Sequence, residues 1–299
     1  MNQHMKKIAI ILLAFCFSAS LFAQDEDLRK LEDSAKKEYV RSAFKSSRVI
    51  NGHSMEMIAK GNLDFRILHR FGLVSGGGKN FFGLDQATMR MGFDYGLGTN
   101  LTIGVGRSTL NKEYDAFLKW RLISQSTGPK SSPLSLLLIQ GITISAMPWT
   151  DPNRDNKFSS RVAYYTEVIV GRKFSEKFSM QLAPTMVHRN LVPLASDEND
   201  AFALGIGGRI KLSRRVAFVV DYTYVISGID KDVYHSPLSV GVDIETGGHV
   251  FQLHFSNAEG MNEKAFITGT TDQWFDVRFG FNLSRMFQLK KKPKVKPGE

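Results

Sequence analysis

Residues 86–107, QATMRMGFDYGLGTNLTIGVGR, contain two strongly alternating segments joined by a turn too short for anything but a hairpin. In the first arm Ala87, Met89, Met91, Phe93 and Tyr95 share one face, and Gln86, Thr88, Arg90, Gly92 and Asp94 share the other. In the second, Leu101, Ile103 and Val105 oppose Thr102, Gly104 and Gly106. Side chains along a strand repeat every second residue, so each arm has one apolar face and one face of glycine, hydroxyl and charge. Residues 96–100 between the arms tolerate the positive φ that a tight turn demands.

The pattern recurs from Asn62 onward in about twelve segments, each near the ~9 to 11 residues a tilted strand needs to cross a bilayer. Residues expected to face outward include Leu63, Phe65 and Ile67 in the first segment, Tyr114, Leu118 and Trp120, then Leu136, Leu138 and Ile142. Further on come Val168 and Val170, Phe202 and Leu204, Phe218, Val220 and Tyr222, and Phe275, Val277, Phe279 and Phe281 in the last. Connections are short at 96–100, 174–177, 213–215 and 246–248, and long at 71–85, 147–160, 190–200, 226–236 and 257–272. That alternation suits a barrel with both termini and its short turns in the periplasm, although 107–113 is short for an outer loop and 124–133 long for an inner turn. Only about eight strands give an interior that side chains fill, so a dozen with apolar faces inward would leave a void. A soluble two-sheet sandwich escapes that objection and is the structural alternative. Glycine on the polar face, as at Gly92, Gly104, Gly141, Gly205 and Gly280, instead suits a crowded, curved lumen. The expected fold is all-β, a transmembrane antiparallel up-and-down β-barrel of about 12 strands with a short N-terminal helical segment.

At 42% hydrophobic residues and a mean hydropathy of −0.17, the chain of 299 residues is too polar for a helical membrane protein. No interior run approaches the roughly 20 apolar residues of a spanning helix. At the N-terminus, Lys6 and Lys7 precede the apolar run 8–17 and the small residues Ser18, Ala19, Ser20 and Ala23. This predicts a signal peptide over 1–23, cleaved after Ala23, with a retained anchor helix as the alternative. A periplasmic N-terminal segment over 24–57, a barrel over 58–287 and a basic periplasmic tail over 288–299 follow. Within 25–47, Leu28, Leu31, Ala35, Tyr39, Val40 and Phe44 fall at helical spacing among charges. The segment is a periplasmic lead-in or a plug in the lumen, and Asn51-Gly52 marks a turn after it. The only cysteine, Cys16, lies in the signal, so disulfides and thiol chemistry are excluded for the processed chain. A formal charge of +10 raises nucleic-acid binding, which export to the cell outer membrane removes.

Charges on the polar face include Arg66, Arg90, Lys119, Arg121, Arg209, Lys211 and Arg278, against Asp64, Asp94, Asp115, Glu167, Asp221, Asp243, Glu245 and Asp276. Closure makes the first, second and last strands neighbours, so Asp64, Arg66, Arg90, Asp94, Asp276 and Arg278 are expected on one inner wall. That cluster is a salt-bridged network packing the lumen or a solute-selective constriction. No catalytic residue, metal site or cofactor is expected. His69, His188 and His249 lack a nearby serine nucleophile, Asp232 and His235 suit a solvated loop, and His249 and His254, five apart, fall on opposite faces of a strand.

The blocks ILHRFG at 67–72, FFGLDQATMRMGFDYGLGTNLTIGVGRS at 81–108, QLAPTMVHRNLV at 181–192, GGHVFQLHFSN at 247–257 and RFGFNLSR at 278–285 resemble a Bacteroidetes-type outer-membrane β-barrel family of unknown function. The resemblance implies fold and localisation and supplies no functional residues. Together these features predict porin-like, passive or gated passage of a small polar solute. The alternative is a non-transporting scaffold binding a periplasmic or surface partner, and a lipid- or peptide-hydrolysing barrel stands behind both. Outer-membrane lipid is the expected surrounding partner; no protein partner is identified. Intact-mass analysis of protein purified from membranes should give a chain beginning at Gln24 that takes up no maleimide. A chain that retains Cys16 contradicts the cleavage.

Overall fold

The computed structural model describes residues 36–149, 151–192 and 196–289. The expected signal peptide and residues 290–299 of the basic tail lie outside the described residues. Two compact units are distinguished, one comprising residues 36–38 and 127–131, the other 39–126 and 132–289. In the smaller, Lys37 Nζ donates to the Lys130 carbonyl at 3.0 Å.

The larger unit is a closed antiparallel barrel. Its strands are β1 (Asn62–Leu73), β2 (Ala87–Gly96), β3 (Leu101–Ser108), β4 (Glu113–Ile123), β5 (Ser135–Ser145) and β6 (Val162–Lys173). They continue with β7 (Phe178–Arg189), β8 (Asp200–Lys211), β9 (Val216–Ser227), β10 (Leu238–Thr246), β11 (His249–Ser256) and β12 (Arg278–Gln288). Each pairs with its sequence neighbours, and β12 closes the ring on β1 with Leu283 opposite Ile67. The twelve strands and the meander are those predicted from alternation.

Burial alternates residue by residue along most of the strand length, as in β1 and β8, and the exposed set is largely apolar: Phe93, Val105, Trp120, Tyr164 and Phe202 are among the exposed outward side chains. Hydrocarbon is the environment in which such a band is stable, since a closed ring leaves no backbone edge unpaired. Pro184 stands mid-strand on that outer face and has no N–H to donate. The β6–β7 ladder accordingly skips from Glu167 opposite Thr185 to Val170 opposite Leu182. At the start of the last strand the sequence and the fold differ. Phe275 was expected to face outward within it, but Asp276 N donates to the Gln273 carbonyl at 3.0 Å, and this turn delays regular pairing to Arg278.

Among the described residues, two pieces of chain enter the ring. Residues 43–58 run inside it, with Ala43, Phe44, Arg48, Val49, Ile50, Asn51, His53, Met55 and Ile58 all buried. This part of the expected periplasmic segment therefore lies in the lumen, and its described portion from residue 36 to 47 is non-helical. The physical reason is that its backbone donors and acceptors are satisfied by inward side chains of the wall. A tight turn reverses the segment, with Val49 N on the Gly52 carbonyl and Ser54 N on the Ser47 carbonyl, both at 2.9 Å. From the long-loop end, the connection between β11 and β12 sends in α1 (Glu263–Gly269), whose Phe266 and Ile267 are buried. The Asn262 side chain caps α1 by accepting from Ala265 N at 2.8 Å.

One sector of the lumen is apolar. Leu137, Ile139, Tyr165, Ile169, Val187 and Val225 of the wall pack with Phe44, Val49 and Met55 of the inserted segment and with Phe266 and Ile267 of α1. The segment leaves at the short-turn end, where Gly61 N donates to the Gly96 carbonyl at 2.8 Å. A Cβ on Gly96 would meet the carbonyl oxygens of Ala59 and, at 2.5 Å, Ile58, whereas one on Gly98 in the adjoining turn would meet nothing within 4 Å. Gly96→Ala should therefore lower stability to urea by about 1–3 kcal/mol, as overpacking does, while Gly98→Ala leaves it nearly unchanged. Equal effects would contradict this exit path.

Candidate functional site in the occupied lumen

Polar side chains of the wall converge on the inserted segment. At its tip the backbone N–H groups of Ile50, Asn51 and Gly52 all donate to Asp221 Oδ2 of β9, at 3.1, 2.7 and 3.0 Å. Three donors on one oxygen form an anion-binding nest filled by the wall's own carboxylate. Around the tip, Gln252 donates to the Val49 carbonyl at 2.6 Å, Asn282 to the Ile50 carbonyl at 2.9 Å, and Asn51 to Ser239 Oγ at 3.0 Å. Arg70 donates to the Asn51 side-chain oxygen. Lower down, Lys119 Nζ donates to the carbonyls of Ser54 and Glu56 at 2.6 Å and of Ser47 at 3.3 Å. Gln181 both accepts from Met55 N at 2.8 Å and donates to the His53 carbonyl at 2.6 Å.

The inserted segment also meets α1. Arg48 Nη1 donates to Glu263 Oε1 at 2.6 Å, and the two side chains are 1% and 2% exposed. His53 Nε2 lies 3.4 Å from the same carboxylate and 3.2 Å from the Tyr165 hydroxyl. Burial, reinforced by Arg48 and Lys119, holds the His53 imidazole well below its ordinary pKa. For Arg48 burial works against the charge, and Glu263, Tyr165 and Asp94 together more than offset it, leaving its pKa raised. α1 is itself tied to the wall, because Lys264 Nζ and Asn262 Nδ2 donate to Glu113 of β4 at 2.6 and 2.8 Å. One buried ion pair thus joins a segment that leaves at the short-turn end to a loop that comes from the other end.

Between Gly52, His53, Glu167, Asp221 and Glu263 lies a cavity of about 20 Å³, room for a single water. Glu167 Oε2 and His53 Nδ1 have no hydrogen-bond partner among the described residues. Ligand-type atoms of His53, Glu167 and Glu263 lie within 4.8 Å of one another. A metal there would have to displace Arg48, whose guanidinium already supplies the cation to Glu263.

The six charges expected on one wall separate into two groups. Asp64, Arg66, Arg90 and Asp94 point inward and are buried. Arg66 pairs with Asp64 and approaches Asp94 at 3.9 Å, and Ser47 of the inserted segment donates to Asp94 at 3.1 Å. Arg90 turns instead to Asp115 on β4, Nε to Oδ1 at 2.9 Å. Arg278 sits opposite Leu73 while Asp64 sits opposite Met286. Nine residues of strand, roughly 30 Å, therefore separate Asp64 from Arg278. Arg278 binds Asp272 at 2.8 Å and Glu259 at 3.5 Å in the long loop, and Asp276 precedes β12. Ring closure made the strands neighbours without bringing these charges to one height. Sequence reasoning did not single out Arg48, His53, Arg70 or Glu263. Arg70 was legible as the next inward position after Asp64, Arg66 and Leu68; the others carry no local motif. The outward and rim histidines have structural settings: His69 stacks on Phe281, with centroids 4.8 Å apart, and His188 Nδ1 lies 2.6 Å from Asp200.

A family model described as a membrane bound beta barrel domain (DUF5777) matches residues 44–287. No curated protein matches the sequence. Among solved structures, the NanC porin is similar at 8% identity, covering 75% of this chain and 98% of that one, with a TM-score of 0.47. OmpT of Vibrio cholerae is similar at 9% identity over 77% of this chain and 99% of that one, TM-score 0.39. An outer membrane channel of Pseudomonas putida F1 is similar at 11% identity over 78% and 97%, TM-score 0.40.

Removing one partner of a buried ion pair leaves the other uncompensated, at a cost of about 3–5 kcal/mol. Arg48→Met and Glu263→Gln should each destabilise the folded barrel on that scale, and the double variant by clearly less than their sum, in a urea-unfolding double-mutant cycle. Additive losses would mean that the two side chains do not pair.

Proposed function

The chain belongs to this family of membrane-bound β-barrel domains, and from that premise we propose an outer-membrane barrel in which residues 43–58 gate the passage of a small polar solute. In this reading the signal at 1–23 exports the chain, the short turns face the periplasm and the long loops face outward. The observation that carries it is the kind of contact holding the segment: Lys119, Gln181, Gln252 and Asn282 all donate to its backbone carbonyls. Each of the amide bonds has a net worth of about 0.5–1.5 kcal/mol, and one from the Lys119 ammonium about 1.5–3 kcal/mol, because water replaces it when it breaks. Water can take over these bonds when the segment leaves, and the sector of wall that makes them is polar, with Lys119, Gln181, Gln252 and Asn282. Asp64, Arg66, Arg90 and Asp94 would then line the path as a charged constriction, with Arg278 and Asp276 near its outer mouth.

The scaffold reading is favoured by a different observation, the apolar sector in which Phe44, Val49 and Met55 pack on Leu137 and Ile169. That sector resists opening, and a permanently closed barrel would leave its loops to bind a partner.

Conductance in planar bilayers separates the two. The processed chain should be closed with brief openings, and a variant lacking residues 43–57 that still shows heat-modifiable barrel mobility should conduct steadily. A folded deletion variant that never conducts would remove the gated-passage reading.

A further inference from the structure

At the long-loop end a second cavity, of about 540 Å³, lies against the outside of the wall. Tyr222 and Tyr224 on the outward face of β9 form one side, Tyr234 and His235 another, and Trp274 and Phe275 of the β11–β12 loop the third. Its size falls within the roughly 300–1,000 Å³ of small-molecule sites. The rings are set rather than collapsed. Trp274 meets Tyr222 edge to face at 5.9 Å, its Nε1 donates to the Ser236 carbonyl at 3.1 Å, and it is still 51% exposed. Phe275 is 94% exposed. Lys231 lines the same cavity with its Nζ 5.9 Å from the Tyr224 ring centroid, and no carboxylate of the described residues lines it. Of the loop acids close to the lining in sequence, Asp230 accepts from Ser196 Oγ at 2.9 Å and Asp272 pairs with Arg278, while Asp232 is exposed to solvent.

We propose that this cavity binds the anionic headgroup of an outer-leaflet glycolipid, with Lys231 and His235 toward phosphate and the aromatic faces against sugar and proximal acyl chain. Position and chemistry both point to an amphiphile. Half of the cavity continues the lipid-facing surface of β9, half is loop exposed to water, and amphipathic rings gather where those environments meet. A lining with a cation and no acid complements an anion and disfavours a cationic or zwitterionic group. The loop that presents Trp274 and Phe275 outside the wall also carries α1 inside it, so an occupant would brace the loop whose Glu263 holds Arg48.

The identity of the lipid rests on the orientation proposed above; binding by detergent-solubilised protein reads the site itself, whatever the barrel conducts. With Trp120 and Trp149 replaced by phenylalanine, Trp274 becomes the sole indole reporter. Titration with a bis-phosphorylated disaccharide lipid (lipid A) in mixed micelles should change its emission saturably. Lys231→Glu should weaken that response at least about tenfold and Lys231→Gln by less, on the scale of a lost hydrogen bond to a charged group. Both substitutions fall on an exposed loop side chain, so the barrel should keep its heat-modifiable mobility. An equal response to phosphatidylethanolamine micelles, an equally tight response to free glucosamine 1-phosphate, or indifference to Lys231→Glu would overturn the assignment.

Discussion

A ring of twelve strands encloses more space than the inward side chains of its own wall can fill, since about eight strands is the size at which they suffice. Everything inside the barrel follows from how that space is occupied. Water would serve a purely polar wall, but this wall also places Leu137, Ile139, Ile169 and Val187 inward, and these need an apolar partner. It also buries charges such as Asp221 and Lys119 that need donors and acceptors. Residues 43–58 supply both kinds of surface. Their side chains Phe44, Val49 and Met55 meet the apolar sector, while their backbone meets the polar one. A regular helix could not do this, because its backbone groups would already be paired within it. The irregular course of the segment is what leaves its amides free for Asp221 and its carbonyls free for Lys119.

The ends of the barrel are joined through this filling. Arg48 belongs to a segment that leaves past Gly61 at the short turns, and Glu263 to a loop that enters from the long-loop side. Their ion pair is buried, so withdrawing one side chain would leave the other uncompensated. Glu113 extends the connection by holding Lys264 and Asn262 against β4. Under the gated-passage proposal this makes displacement of the segment a cooperative event rather than a gradual fraying. An occupant of the aromatic cavity outside β9 would act on the same loop.

The wall was legible in the sequence because a strand between hydrocarbon and a polar interior writes its orientation into every second residue. Strand number, neighbour order and outward faces such as Phe93 and Trp120 followed from that rule. The contents of the lumen were less legible, because the segment inside has no periodicity to betray it. Asn51-Gly52 announced the turn but not where it sits. The run Leu136 to Ile139 held a usable signal: apolar residues at consecutive positions mean a strand covered on both faces, and Leu137 and Ile139 are indeed fully buried. Charge positions along a strand were legible only as a face. Height in the barrel depends on register, which is why Arg278 and Asp64 share a wall yet lie at opposite ends.

The central claim is that residues 43–58 lie inside the wall, and it can be tested covalently because the processed chain is expected to lack cysteine. A Cβ on Gly171 of β6 would contact Met55 directly, with Met55 Cγ at 3.3 Å, which is within the reach of a disulfide. In Met55→Cys/Gly171→Cys protein, mild oxidation of intact cells should form the cross-link in high yield, seen as a reduction-sensitive mobility change. A thiol introduced by Met55→Cys that labels with maleimide as freely as a surface cysteine, with no cross-link under the same conditions, would contradict the account.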